Sequence, residues 1–480
     1  MGIIGAAFYP HPPVALPEVG QGQERAASAT IEGMERLSAL VAECKPEVIA
    51  VVTPHGPAFS DVIAVTDAAV LSGTMERFRA PQVGLTKPVH RALLSAFEEE
   101  WGRDSLPVAR LDGPVLRKLN AEPVLDHGAL VPLLFLEKHY TDYSILHISP
   151  GGQSLRRQFH AGQALARAAD RLGVKVLVLA SGDMSHKLKS SGPYGFDPAG
   201  PQFDKLISGA IASGKPGDIL AIDPGLARRA GECGWRPAAF ALGALDGRAV
   251  ESRLISYEGP FGVGYLTALL TVVDGDAPGF LDGLDRAEQA RAAEARSGED
   301  DYVRLARAAL ERFVREGRQP QWAELRQGLN ELDALRMEKR KAGAFVSLHL
   351  DGELRGCMGT VVPVCQHVGE EIVRNAVTAC SEDPRFPPVR QDELLALEIK
   401  VDVLSPFEPV ASPEELDPSR FGVIVEKQGR RGLLLPALDG VDTVERQLDI
   451  ACRKAGFAWK AGDSAIRLYR FTVERHGEED

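Results

Sequence analysis

The stretch "VKVLVLASGDMSH", residues 174–186, joins a nearly continuous apolar run to a short polar segment that ends in a histidine. Such an apolar run is typical of a β-strand that is buried on both faces. "PEVIAVVT" at 46–53 and "YSILHIS" at 143–149 have the same character. Strands of this kind predict an α/β fold, in which helices cover both faces of a sheet.

Helical segments separate these predicted strands. Residues 22–43 and 154–173 carry apolar residues at helical spacing, and the second segment ends in Gly173, as expected for a helix C-cap. The alternation of strands and helices continues to about residue 274. We therefore predict one α/β domain over residues 1–274, with a sheet sandwiched by helices.

The pattern changes after residue 274. Residues 275–299 are polar, with Gly and Pro first and an Ala-rich charged stretch behind, which predicts a partly helical linker. Residues 300–476 begin with the helical "DYVRLARAALERFVREG" and continue with alternating runs, among them "LEIKVDVLSPFEPV" and "FGVIVEKQGRRGLLLP". The dipeptide Asp351-Gly352 is a β-hairpin signal. A separate, smaller α+β domain is predicted here.

Composition narrows the class of protein. The chain has 480 residues, of which 25% are charged and 44% hydrophobic, as is usual for soluble globular proteins of several domains. A net charge of -12 argues against nucleic acid and anionic lipid as partners. The first residues lack the basic segment and long apolar core of a signal peptide, and no run of 18 apolar residues occurs, so we expect a cytoplasmic protein with no membrane partner. The six cysteines lack paired spacing, which indicates free thiols.

Three predicted strands each end shortly before a histidine. These are His11 in "FYPHPP", His55 in "TPHGP" and His186 in "SGDMSH", and Glu258 in "YEGPFGVGYL" ends a fourth strand. The carboxyl ends of strands in open α/β sheets form ligand crevices, so the four side chains suggest one site. Two histidines and a carboxylate make the facial triad of non-haem Fe(II) oxygenases, which His11, His55 and Glu258 would supply. Each residue taken alone is more often a loop residue bonded to the backbone.

Several of these motifs together resemble one family. "FYPHPP", "TPHGP", "DHGALVPLLFL", "SGDMSH" and "YEGPFGVGYL" occur in the order found in class III extradiol ring-cleavage dioxygenases of the LigB type, which include the Memo-like proteins. The resemblance implies a LigB-like mixed sheet between helices and Fe(II) bound by His11, His55 and Glu258. Memo-like members tend to carry a cysteine in place of the carboxylate, and we therefore expect Glu258 to complete an oxygenase triad.

The same resemblance gives catalytic roles to three further residues. His186 and His127 match the active-site histidines that handle protons and substrate, with His186 the first choice as general base and acid. Asp183 would orient the His186 imidazole or accept a hydrogen bond from substrate. The alternative for Asp183 is a turn-stabilising carboxylate after Gly182.

The second half of the chain resembles another family. "LRGCMGT" and "ACSEDPRFPPV" look like the AMMECR-type domain, over about residues 300–476. Cys357 is either a small buried strand residue, which we favour, or a thiol made reactive by Arg355. Arg385 would bind an anion or brace a loop. AMMECR-type and Memo-like proteins resemble parts of a three-component system whose third member is a radical S-adenosylmethionine protein, which implies such a partner.

Three functional hypotheses follow from these observations. The first is an Fe(II)-dependent extradiol-type dioxygenase, or a related metal-dependent oxidoreductase, that acts on a small catechol-like aromatic substrate and O₂. The second is a non-oxygenase metal-binding component of the three-part system, with zinc or copper as the alternative metals. The third is an interaction protein without metal. The sequence leaves open whether the chain forms a homodimer.

Overall fold

The computed structural model describes residues 2–59, 62–103, 108–350, 353–438, 440–463 and 465–477. The chain divides into two compact units, Met1–Glu288 and Gln289–Asp480. The division falls inside the predicted linker 275–299. Most of that linker is a helix, as its Ala-rich composition suggests.

The first unit contains ten strands and ten helices of four or more residues within the described ranges. Its strands are β1 (Ile3–Tyr9), β2 (Val48–Val52), β3 (Ile63–Thr66), β4 (Val70–Met75), β5 (Ala80–Pro88), β6 (Val108–Leu111), β7 (Ser144–Ser149), β8 (Val176–Ser181), β9 (Arg248–Glu258) and β10 (Tyr265–Asp276). Its helices are α1 (Pro17–Gly20), α2 (Ser28–Cys44), α3 (Arg91–Gly102), α4 (Gly113–Lys118), α5 (His127–Glu137), α6 (Leu155–Leu172), α7 (Ala199–Ala212), α8 (Pro224–Ala230), α9 (Trp235–Ala244) and α10 (Leu281–Ser297), the last of which continues past Glu288.

Eight of these strands form one mixed sheet in the order β6-β3-β7-β2-β8-β1-β10-β9. The central strands β7, β2, β8 and β1 are parallel, whereas β10 is antiparallel to both of its neighbours. Every residue of β2 and β8 is buried, which explains their continuous apolar sequences. The predicted α/β fold, a mixed sheet between helices, is confirmed.

The strand register brings the polar segments to one edge of the sheet. Phe8 of β1 pairs with Ala180 of β8, and Ala180 also lies opposite Val52 of β2. The three strands are neighbours and parallel, so the chain leaves all of them at the same edge. The segments that follow, which carry His11, His55 and His186, therefore begin side by side.

The predicted helices also have identifiable ends. Helix α6 starts at an N-cap in which the Ser154 hydroxyl accepts a hydrogen bond from the Arg157 N–H. It ends at Gly173, which has a φ of 69°, in the left-handed region that favours glycine. Both ends agree with the prediction from sequence.

The second unit is a smaller α+β domain, as predicted. Its helices are α11 (Asp301–Glu316), α12 (Trp322–Leu325), α13 (Glu331–Lys339), α14 (Val368–Ser381) and α15 (Val444–Lys454). Its strands are β11 (Ala344–Leu350), β12 (Glu353–Gly359), β13 (Leu397–Leu404), β14 (Glu408–Val410), β15 (Gly422–Lys427), β16 (Arg430–Leu434), β17 (Arg467–Phe471) and β18 (Val473–His476).

These strands form two four-stranded sheets, β12-β11-β13-β18 and β14-β17-β15-β16. The predicted hairpin turn Asp351-Gly352 lies outside the described residues. Its two flanking strands, β11 and β12, pair antiparallel with Leu350 opposite Glu353. No helix within the described parts of the chain is both long and apolar enough to cross a lipid bilayer.

Candidate metal centre

His11 follows β1 and is held in one orientation by the neighbouring strand. The residue is 2% exposed, and its Nδ1 lies 2.8 Å from the Ser181 Oγ at the end of β8. The Ser181 hydroxyl donates its own hydrogen to the Gly128 carbonyl oxygen, 2.5 Å away. Ser181 Oγ must therefore accept a hydrogen bond from His11 Nδ1–H. The proton sits on Nδ1, and the Nε2 lone pair is left available for a metal ion.

His55 follows β2 and meets His11 through the corresponding ring atom. The two Nε2 atoms lie 3.0 Å apart, so a proton on His55 bridges the rings in the metal-free protein. Burial and the adjacent imidazole of His55 hold the pKa of His11 well below its usual value of 6.5. His11 is therefore neutral at pH 7, which is the form that binds metals. His55 is exposed, so the site opens to solvent on its side.

The third potential ligand in this group is Cys233. Its Sγ lies 3.7 Å from His11 Nε2, and the donor atoms of His11, His55 and Cys233 all lie within 4.8 Å of one another. The backbone N–H of Asp183 donates a hydrogen bond to the sulfur at 3.2 Å, a contact that favours a thiolate. Burial raises the pKa of the Cys233 thiol well above 9.0, so bound metal is what would deprotonate it.

A close approach of two loops lets Cys233 reach the histidines. A Cβ added to Gly182 would lie 2.1 Å from the Cα of Gly234. Any side chain at Gly182 would push apart the loop after β8 and the loop before α9. Glycine at this position therefore has a packing function beside the site.

The predicted third ligand, Glu258, is not in this group, and we correct the predicted set accordingly. Glu258 ends β9, and β10 lies between β9 and β1, which places the strand ends about 10 Å apart. The Glu258 carboxylate instead accepts hydrogen bonds of 2.6 Å from the N–H and the hydroxyl of Thr30, at the start of α2. Glu258 thus stabilises the N-terminus of a helix, where a carboxylate is favourable.

His127, which the family resemblance predicts to be an active-site residue, lies against both His11 and His55. Its ring stacks on His55 with centroids 4.2 Å apart and meets His11 edge-on at 5.5 Å. Phe78 packs edge-on against the same ring at 5.3 Å. Burial and the neighbouring His55 lower the pKa of His127 to about 4, so this imidazole is neutral and can accept a proton.

His186 is close enough to the other imidazoles to interact with them electrostatically. Burial and the nearby His55 lower its pKa below 6.5, and its ring stacks on Tyr194 at 5.1 Å. Tyr194 is 61% exposed, so this pair lies at the solvent side of the site. His186 thus lies beside His55 but is not one of the three residues whose donor atoms converge.

Asp183 contacts His11 rather than His186. Its Oδ1 accepts a hydrogen bond of 2.9 Å from the His11 N–H, and its Oδ2 lies 3.9 Å from His11 Nε2. No hydrogen bond between Asp183 and His186 is present among the described residues. Asp183 therefore fixes the loop that carries His11, and its carboxylate borders the metal site.

A buried chain of hydrogen bonds supports the site from below. His147, which is fully buried, bonds through Nε2 to Asp126 at 2.9 Å and through Nδ1 to Thr66 at 2.9 Å. Asp126 also accepts a 2.7 Å bond from the Thr53 hydroxyl and caps α5 by accepting from the Ala129 N–H. His127 is the first residue of that helix. This chain of hydrogen bonds thus fixes the position of His127 at the start of α5.

The network reaches His55 as well. The Thr53 hydroxyl, which donates to Asp126, accepts a hydrogen bond of 3.3 Å from the His55 N–H. The hydrogen bond and charge of His147 lower the pKa of Asp126, although burial alone would raise it. Asp126 therefore stays ionised and keeps both histidine-bearing segments in place.

The donor set fits a metal ion. Two imidazole nitrogens and one thiol converge, and hydrogen bonds hold the His11 ring through Nδ1 and the Cys233 sulfur through the Asp183 N–H. Three protein ligands with open positions remaining are typical of catalytic metal sites. Imidazole and thiolate together suit zinc and copper, and imidazole also binds iron.

Comparison with known families agrees with the fold of the two domains. A family described as the catalytic LigB subunit of aromatic ring-opening dioxygenase matches residues 5–268. The chain belongs to this family. Residues 303–476 match the AMMECR1 family, so the chain is a LigB domain fused to an AMMECR1 domain.

Relatives share one or both domains. A protein of Clostridium acetobutylicum is 38% identical over 478 residues, and the match covers 100% of both chains. A protein of Thermotoga maritima is 50% identical over 183 residues, which cover 37% of this chain and 98% of that one. A similar two-domain arrangement thus occurs in a clostridial protein.

Two solved structures each resemble part of the chain. A Pyrococcus horikoshii protein covers 37% of this chain and 90% of its own, with 31% identity and a TM-score of 0.33. An Escherichia coli protein covers 55% of this chain and 99% of its own, with 18% identity and a TM-score of 0.37.

In the AMMECR1 domain, Cys357 lies half-buried on β12. Its Sγ accepts a hydrogen bond from the Ser347 hydroxyl at 3.2 Å. Arg355 binds Glu393 through two nitrogens instead of the thiol, which agrees with the favoured interpretation of Cys357 as a strand residue and not with its activation by Arg355. Arg385 pairs with Asp383 and donates to the Cys357 carbonyl oxygen, which is the loop-bracing alternative.

Sequence reasoning missed Cys233 and the buried His147. Cys233 was counted only as a free thiol, although Memo-like proteins are expected to carry a cysteine ligand in place of the carboxylate. The available signal was its place next to Gly234 in "GECGW", a segment that the structure places between α8 and α9. His147 lies within an apolar strand, where a histidine gives no local sign of its partner.

Proposed function

We propose that the chain is a metal-dependent oxidoreductase of the oxygenase type, with His11, His55 and Cys233 as the metal ligands of its LigB domain. The observation that carries the proposal is the convergence of these three donor atoms within 4.8 Å. Membership of the LigB family supports oxygenase-type chemistry on a small aromatic substrate. Iron(II) is the metal that this chemistry uses, with zinc and copper as the alternatives.

The side chains around the ligands suit proton transfer. When bound, the metal ion supplies Lewis acidity that polarises a substrate oxygen and lowers the pKa of its hydroxyl. His127 and His186 are neutral at pH 7, so either imidazole can accept that hydroxyl proton and return it to a leaving oxygen. His186, beside the exposed Tyr194, is the first choice because substrate enters from the solvent side.

The hydrophobic and aromatic surroundings favour a flat substrate. Phe78 packs against His127, and Tyr194 stacks on His186, so aromatic rings border both proposed proton acceptors. A planar ring would pack on these faces in offset or edge-on arrangements. A catechol-like molecule would place its hydroxyl groups toward the histidines and its ring against these aromatic side chains.

The test is a measurement of metal and turnover on the same preparation. Protein is purified without oxygen, its metal content is determined, and the iron(II)-loaded form is mixed with a panel of catechols under air. Oxygen uptake with ring-cleaved product, lost in His55→Ala, supports the proposal. Stoichiometric iron without product from any catechol contradicts it.

A second candidate follows from Cys233. A thiolate ligand suits zinc or copper, whereas the facial triad of iron oxygenases has a carboxylate at this position. The chain would then be a non-oxygenase metal-binding component that acts with a radical S-adenosylmethionine protein. Tightly bound zinc or copper, together with activity that appears only with such a partner and without O₂, would favour this candidate over the first.

A further inference from the structure

A groove in the AMMECR1 domain, unrelated to the metal centre, has the features of a ligand site. It has a volume of about 670 Å³ and lies among the start of α11, the end of α13 and the end of β18. The residues that matter for its chemistry are Asp300, Tyr302, Lys339, Arg340, Glu474 and His476.

His476 is the central residue of this groove. It is 9% exposed, and its ring stacks on Tyr302 with centroids 3.9 Å apart and planes 11° from parallel. Its Nδ1 lies 2.5 Å from Asp300 Oδ2. Because an ionised carboxylate only accepts, Nδ1 carries a proton and donates to Asp300.

The other ring nitrogen has no hydrogen-bond partner. His476 Nε2 is buried, and the nearest carboxylate oxygen, Glu474 Oε1, lies 3.7 Å away, which is too far for a hydrogen bond. When the ring is neutral, Nε2 is an acceptor, and two acceptors then face each other with no donor between them. A buried polar atom without a partner is unfavourable and is rare in native proteins.

A ligand N–H group placed between these two atoms would satisfy both of them. An ammonium nitrogen about 2.9 Å from each acceptor fits the 3.7 Å separation. The negative charge of Glu474 favours a cationic donor there, even though Glu474 also pairs with Arg340 on its other oxygen. A protonated primary amine is the simplest such group.

The cations of the groove indicate that the ligand also carries a negative charge. Arg340 is paired with Glu474, and Arg336 is paired with Asp333 at 3.0 Å. Lys339 lines the groove and has no ion-pair partner among the residues that the structure describes. An anionic group at the other end of the ligand would pair with Lys339.

We propose that this groove binds a small zwitterion, with its ammonium group between His476 and Glu474 and its carboxylate on Lys339. The AMMECR1 domain would then have a ligand of its own, chemically distinct from the aromatic substrate proposed for the LigB domain. The site does not depend on the metal ligands, so its test and the test of the metal centre are independent.

The experiment uses the full chain with probes of defined charge separation. Glycine, β-alanine and γ-aminobutyrate are titrated by calorimetry and by ligand-observed NMR, with acetate and methylamine as the two half-ligands. We expect saturable binding of at least one zwitterion at millimolar or lower concentration, and at least about tenfold weaker binding of both half-ligands. No saturable signal for any of the three up to about 10 mM overturns the proposal, as does equal binding of methylamine.

Variants then connect the binding to the named residues. Glu474→Gln and Lys339→Met should each lower the affinity for the zwitterion about tenfold, because each removes one charge-assisted contact. Lys341→Met, on an exposed lysine outside the groove, is the matched control and should leave binding unchanged. Unchanged affinity in both groove variants overturns the proposal.

A spectroscopic measurement distinguishes loss of contact from loss of folding. In protein labelled with ¹⁵N-histidine, the Nε2 resonance of His476, identified by its absence in His476→Phe, should move when the zwitterion is added. In a Glu474→Gln sample that melts like the wild-type protein, about tenfold more zwitterion should be needed for the same movement of that resonance. A resonance that does not move in the wild-type protein shows that only water occupies the space, and the proposal fails.

Discussion

The Nδ1 atom of His11 lies 2.8 Å from Ser181 Oγ, and the Ser181 hydroxyl in turn donates to the Gly128 carbonyl. A serine whose hydrogen is already used can only accept from the imidazole. One hydroxyl on β8 thereby determines which nitrogen of His11 faces His55 and Cys233. The orientation of the candidate metal ligand is thus encoded in a neighbouring strand.

Removal of this hydroxyl should weaken the metal site without removing a ligand. In Ser181→Ala we expect metal affinity to fall about 10- to 100-fold, because the His11 tautomer and ring orientation are no longer fixed. Competition with a chelator of known affinity measures the change. Ser144→Ala, at the opposite end of the parallel strand β7, which β2 separates from β8, is the control. Equal affinity in the two variants would contradict the orienting role of Ser181.

The identity of the third ligand can be decided by a pair of variants. Cys233→Ala should lose most of the bound metal, since two imidazoles alone remain. Glu258→Gln should retain it, because the side-chain oxygen of glutamine still accepts from the Thr30 N–H. Metal analysis by mass spectrometry after identical purification gives the comparison. Loss of metal in Glu258→Gln with retention in Cys233→Ala would restore the carboxylate triad.

Asp126 should matter for stability as well as for the site. Asp126→Ala removes the cap of α5, for which about 1 kcal/mol is typical, and leaves the buried His147 Nε2 without its partner. We expect the free energy of unfolding of the LigB domain to fall by about 2 kcal/mol or more. Urea unfolding followed by circular dichroism measures it. Asp112→Ala, which removes the cap of the short helix α4, is the matched control and should lower the free energy of unfolding by less than Asp126→Ala does.

We expect the Asp383–Arg385 ion pair to contribute to the loss of stability of the AMMECR1 domain in acid. The Arg385 hydrogen bond holds the pKa of Asp383 below its usual value of 3.8. A carboxylate whose pKa is lowered in the fold stabilises the fold at pH values above its pKa in the unfolded chain. This stabilisation is lost progressively as the pH falls from there through the pKa of the folded state. Asp383→Asn should therefore flatten the decline of melting temperature between about pH 5 and pH 2.

The control for this pH dependence is Asp442→Asn, which changes an exposed carboxylate to the same amide. Its melting temperature should follow the wild-type curve over the whole range. A parallel decline in Asp383→Asn and in the wild-type protein would show that the pair does not contribute. The comparison uses slopes and is therefore independent of any constant offset in stability.

Sequence alone predicted the fold and two of the three residues whose donor atoms converge, for a physical reason. The apolar runs that end before His11, His55 and His186 are central parallel strands, and adjacent parallel strands end at one edge. The sheet topology therefore determines at which edge a polar residue just past such a strand lies. The pattern located these three histidines because the sheet itself brings them together.

The errors concern residues whose position depends on the order of strands or on loops. Glu258 also ends a strand at that edge, but β10 separates its strand from β1, and no local pattern gives strand order. Cys233 reaches the site through a loop between two helices, so periodicity carries no information about it. The alternative that Arg355 activates Cys357 rested only on nearness in sequence, and in the fold Arg355 binds Glu393, 38 residues away.

The separation of the three ligands along the chain affects the timing of metal binding during synthesis. His11 and His55 are synthesised before Cys233, which follows His11 by 222 residues. Strand β8, which carries the hydroxyl that orients His11, is also made long after β1. A nascent chain that has not yet reached Cys233 lacks one of the three proposed ligands, so we expect the proposed site to acquire its metal only after most of the first domain has been translated.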